Sequence, residues 1–113
     1  MLPEGASDLI RVSAQAVLGS SWTQIFQAPF QSQVAVSIIH LANTSTGPLT
    51  VSLCAVPSGG SPAQGNALLY GFSIPANDFI ELGDGLILLS GGYLTAQASF
   101  PAVISVFMSG FQF

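Results

Sequence analysis

Only 5% of this 113-residue chain is charged and 50% of it is hydrophobic, with one basic residue, five acidic ones and a net charge of −4. Soluble domains carry about 25% charged residues. A lone Arg11 excludes a partner that is nucleic acid or an anionic membrane surface, because both need clustered Lys and Arg.

The beginning, Met1-Leu2-Pro3-Glu4-Gly5, lacks the basic and apolar regions of a secretory signal. Residues 1–8 read as an extended arm on a single domain spanning 1–113. A membrane-spanning helix needs about 20 apolar residues. Runs such as Leu86-Ile87-Leu88-Leu89 are cut short by Ser and Gly. Beyond the arm, Gly, Pro, Asn and Ser recur between short runs of Val, Ile, Leu, Phe and Thr. This rhythm predicts strands at 9–18, 22–27, 33–42, 49–56, 67–73, 78–82 with a continuation near 86–89, 93–98 and 102–109. The expected fold is all-β, an antiparallel sandwich of about eight strands, jelly-roll or immunoglobulin-like. A closed barrel is the alternative. Cys54 is the single cysteine, so no intrachain disulfide forms and packing must hold the fold.

Alternation is clearest at Leu49-Thr50-Val51-Ser52-Leu53. Leu49, Val51 and Leu53 are expected to face the core, with Thr50 and Ser52 outward. Segments 36–41 and 103–108 are apolar on both faces, apart from residues such as Ser37 and His40. A sandwich strand has one wet face, so a second apolar face implies cover by another subunit. No lysine guards a strand edge. Pro48, Pro57, Pro75 and Pro101 are the residues able to blunt one.

Chemistry is thinly represented. His40 is the single histidine and points away from the core if Ile39 and Leu41 face it. A general base needs a nucleophile and an orienting carboxylate beside it, and no spacing supplies them. His40 therefore reads as a surface or interface residue. Cys54 has no positive charge nearby to lower its pKa, so it reads as a buried or interfacial thiol. Metal sites want ligand clusters. Asp78, Glu81 and Asp84 lack the alternate spacing of a calcium loop, and no metal or cofactor is expected. Residues 56–61 are glycine-rich but carry no phosphate-loop Lys, and they read as a long exposed loop. Asn43-Thr44-Ser45 matches the short glycosylation pattern.

The aromatics carry more. Phe100, Phe107, Phe111 and Phe113 crowd the C-terminal segment, while Trp22, Phe26 and Phe30 mark the first third. Core packing accounts for most of them. Phe111 and Phe113 lie beyond Gly110, a poor place to complete a core and a convenient one to reach a neighbour. They are the expected intersubunit anchors, with His40 as a third interface candidate.

From Ala42 onward the order of pieces resembles a known group. It reads Asn43-Thr44-Ser45-Thr46-Gly47, Val51-Ser52-Leu53, Val56-Pro57-Ser58-Gly59-Gly60 and Asn66-Ala67-Leu68-Leu69. It continues with Ile74-Pro75-Ala76-Asn77 and Leu94-Thr95-Ala96-Gln97-Ala98-Ser99, and closes on Ser109-Gly110. This resembles small β-sandwich virion structural proteins of tailed bacteriophages, over residues 42–110. The resemblance implies a non-enzymatic virion component assembled in the host cytoplasm, foremost a capsid decoration (cement) protein. Its implied partners are copies of itself and the major capsid protein or another virion protein. A tail, neck or fibre protein is the structural alternative. A glycan- or receptor-binding module using loop 57–66 is the alternative of another class.

Overall fold

In the computed structural model, which describes residues 10–83 and 85–113, nine strands form two antiparallel sheets. They are β1 (Ile10–Val17), β2 (Thr23–Gln27), β3 (Val34–Asn43), β4 (Leu49–Val56), β5 (Ala67–Ile74), β6 (Phe79–Leu82), β7 (Ile87–Leu88), β8 (Tyr93–Ala98) and β9 (Ile104–Gln112). A single 3-10 turn, Gln64–Asn66, precedes β5. The expected arm at 1–8 lies outside the described residues.

The pairing is nested. β1 pairs with β9, β2 with β8, β3 with β6 and β7, and β4 with β5. β6 and β7 follow one another along the same edge of β3, so they act as one interrupted strand. A long hairpin folded over on itself produces this order. β9 then joins β3 and β8 joins β4, giving sheets β1-β9-β3-β6 and β2-β8-β4-β5. That wrap is a jelly roll, which decides between the two expected sandwich types.

Alternate residues of both sheets fill the space between them. Val34, Val36, Ile39 and Leu41 of β3 meet Ile104, Val106 and Met108 of β9 on one side. Val51 and Leu53 of β4 and Leu94, Ala96 and Ala98 of β8 come from the other, all buried. Each large side chain buried this way contributes about 1.5–3 kcal/mol.

Three local features differ from the expected pattern. First, β3 slips register between Val36 and Ile38 against β9. The bulge lets Val36 and Ile39 both face inward, three positions apart. Part of the two-faced apolar look of 36–41 is this phase slip. Opposite the bulge sits Gly110, where a Cβ would run into the Ala35 carbonyl oxygen and the Val36 Cα. Gly110 is therefore a close-approach glycine inside β9, not the end of the strand.

Second, Ser52 points outward beside Gln97, as expected, yet is buried. β5 breaks register against β4 between Val51 and Leu53. Gly71, at a left-handed φ of 62°, turns its N–H onto Ser52 Oγ at 2.9 Å.

Third, Asn43 is buried, contrary to a glycosylation site. Its Nδ2 donates to the carbonyls of Gly47 (3.0 Å), Ile74 (2.9 Å) and Pro75 (3.2 Å), and its Oδ1 accepts from the Ser45 backbone and hydroxyl. No amide hydrogen is left facing solvent for a sugar.

Candidate interaction surface

The outer faces of the two sheets differ in kind. On β2-β8-β4-β5, segment 57–66 folds back over one end. The Tyr93 hydroxyl donates to the Gly60 carbonyl at 2.8 Å, and Cys54 Sγ lies 3.6 Å from the Ala63 carbonyl. Cys54 and Thr95 alternate outward from their strands, yet both are buried beneath this cover. Burial pushes the Cys54 thiol pKa up. Elsewhere this sheet exposes polar Thr50, Gln97 and Ser99, with Tyr70 and Phe72 exposed on its edge strand β5. Asn66, a residue a sugar site would use, instead bonds its own loop through Ala63 and Ser61.

The outer face of β1-β9-β3-β6 is apolar and aromatic. One row crosses all four strands: Gln15 opposite Phe107, Phe107 opposite His40, and His40 opposite Glu81. The next row carries Val17, Ser105, Ala42 and Phe79. Farther along, Arg11 lies opposite Phe111, with its guanidinium carbon 5.6 Å from the ring centre. That places the cation near the electron-rich ring face. Phe111 in turn lies opposite Ala35, beside Ile87. A shallow depression of about 550 Å³ lies between Val17, His40 and Phe107.

His40 stands mid-face as its alternation requires. Its ring stacks on Phe79 at 4.8 Å and 23°, and its Nδ1 is 3.5 Å from Glu81 Oε2. The side chains of His40 and Glu81 are 34% and 46% exposed, so this is a wet contact and adds little stability. Cys54 sits on the other sheet, out of reach of His40, whereas Ser105 lines the same depression as His40. Among the described residues, no three His, Cys, Asp or Glu side chains gather to hold a metal.

The structure thus brings His40 and Phe111 onto one face and sets Phe113 at its margin. The backbone of Phe113 exchanges two hydrogen bonds with Gln33, each 2.9 Å, while the residue as a whole remains 50% exposed. Phe107, Phe79 and Val17 belong to the same surface and are not among the interface candidates read from the sequence. The signal for Phe107 was present, because Val106 and Met108 face inward on either side of it.

The face runs onto an apolar end of the sandwich. The turn after β2 lies against the turn before β8, held by Gln31 N–H to Ser90 Oγ at 2.8 Å. This leaves Phe30 84% and Leu89 64% exposed beside Phe113. The opposite end shows Ser20, Ser21, Thr44, Thr46, Asn77 and Asp78, with Phe100 as its apolar exception. Exposed large apolar groups concentrated this way mark interaction surfaces.

No protein-family model and no curated protein matches the chain in sequence. Solved structures share its fold. A chain in the capsid structure of Helicobacter pylori bacteriophage KHP30 aligns over 93% of this chain and 87% of its own, with a TM-score of 0.59 and 10% identity. A chain of the disulfide-linked pili of Bacillus endospore appendages aligns over 93% and 85%, with a TM-score of 0.54 and 17% identity. At these identities the likeness is one of fold.

Proposed function

We propose that this chain is a non-enzymatic structural protein of a bacteriophage virion: a capsid decoration protein that associates with copies of itself and binds the capsid lattice. One observation carries the reading. A jelly roll of the kind found in a phage capsid structure leaves Phe30, Leu89, Phe113, Phe79 and Val17 exposed on one face and one end. With 5% charged residues, such a surface has little charge to keep it solvated. Weak apolar contacts repeated over many lattice sites give tight retention without any single strong contact.

The likeness to pilus subunits supports the assembly reading but not a pilus. Those pili are disulfide-linked, and the one cysteine here is buried and hydrogen-bonded to Ala63.

Co-sedimentation of the purified protein with capsids lacking it tests the proposal. Binding should be saturable and should persist in about 1 M salt, because screening acts on exposed charges and not on apolar area. Absence of binding, or release on a modest rise in salt, contradicts it.

A further inference from the structure

We propose that the outer face of sheet β1-β9-β3-β6 is a two-fold contact between copies of this chain, registered by Arg11 of one copy against Glu81 of the partner subunit. The inference rests on the self-association stated above and names the surface responsible.

Among the described residues, the strands of this face carry two formally charged side chains, of opposite sign and at opposite corners. Arg11 lies on the β1 edge in the row of Phe111 and Ala35. Glu81 lies on the β6 edge in the row of Gln15, Phe107 and His40. Three strand spacings separate them across the sheet, about 14 Å, and four residues separate their rows along it, about 13 Å. They therefore stand too far apart to pair within one copy, on a diagonal about 45° from the strands.

That diagonal is self-complementary. A two-fold axis lying between two facing copies, along the other diagonal, exchanges the corners. Arg11 then meets Glu81 of the partner subunit, and the same contact repeats by symmetry, as an isologous interface requires. The operation crosses the two sets of strands at about 90°, one of the two ways in which sheets stack face to face. The interior of the face supplies Phe107, Phe111 and Ile38 as apolar contact. The four strands are about 19 Å wide, so crossed faces overlap over a small area, and such contacts are weak. In a weak contact, two charge pairs fix the register, and reversing both is enough to weaken association.

The test is sedimentation velocity in low salt over a concentration series, using wild type, Arg11→Glu and Glu81→Arg. Each variant should dissociate about tenfold more readily than wild type, because two attractions become two repulsions. An equimolar mixture of the variants should associate as wild type does, since a copy with two acidic corners meets a copy with two basic ones. Thermal melts verify the fold of each. If Arg11→Glu fails to fold, Glu81→Arg compared with Glu81→Gln replaces it, and the reversal must weaken association more than the neutral change. Single variants that associate like wild type, a mixture no better than its components, or a wild type that stays monomeric each overturn the inference. Variants with unaltered self-association but lost capsid binding also overturn it, assigning the face to the lattice and leaving the virion reading intact.

Discussion

Asn43, the last residue of β3, donates its side-chain amide to the carbonyl of Ile74, the last residue of β5, at 2.9 Å. The two strands belong to different sheets, so this bond ties the sandwich together at one end. The same amide reaches Gly47 and Pro75. Asn43→Ala leaves these carbonyls short of a partner and should cost about 3 kcal/mol. Asn43→Asp should cost at least as much, because a carboxylate cannot donate to them. Urea unfolding measures both. A loss under about 0.5 kcal/mol, as at an ordinary surface site, would contradict the tie.

Gly110 faces the bulge in β3 with no room for a side chain. Gly110→Ala should therefore cost about 3 kcal/mol, from forced separation of β3 and β9. Gly47 has nothing near its absent Cβ and no left-handed φ. Gly47→Ala should be close to neutral in the same urea experiment, and equal losses at both positions would remove the steric explanation.

Phe111 and Phe113 combine a built-in backbone with exposed rings. Deleting residues 111–113 would break ladder pairs to both β1 and β3 and unfold part of the sheet. Single side-chain changes separate the two roles. Phe111→Ser and Phe113→Ser should each lower stability by about 1–2 kcal/mol, a fraction of what a fully buried ring contributes. Both should weaken association or capsid occupancy. A large fall in melting temperature with unchanged occupancy would place the rings in the protein's own packing.

The Cys54 thiol is buried, with its pKa raised by that burial. It should resist alkylation in the native protein and react once unfolded in urea. A thiol pKa raised by folding means the native state holds its proton longer than the unfolded chain does. Stability contributed by the buried neutral thiol is thus full below the ordinary thiol range of about 8.5 and falls as pH rises through it. Urea midpoints should decline above that range for wild type and decline less for Cys54→Ser. Equal declines would contradict the assignment.

Much of the fold was legible because turn residues bracket regular alternation. Strands 49–56 and 93–98 match β4 and β8, the first lying between Pro48 and Pro57 and the second between Gly92 and Ser99. His40 faces outward because Ile39 and Leu41 fix the phase around it. Long-range geometry was not legible. The Ser37 bulge shifts phase without a glycine or proline of its own. Cys54 and Thr95 are buried by a loop whose fold-back the local pattern does not encode, and Asn43 is recruited by turns that meet in space. The aromatic face depended on which strands became neighbours. Phe107, His40 and Phe79 come from three strands, and only the nested pairing puts them side by side.

Reconstruction by electron cryomicroscopy of capsids assembled with this chain tests the proposed virion role most directly. The account predicts density for the jelly roll on the outer capsid surface, in repeated copies at lattice contacts, with Phe30, Leu89 or the Phe79–Phe107 face against another subunit. Particles that are complete without this chain, or copies whose aromatic face and apolar end both remain bare, would contradict it.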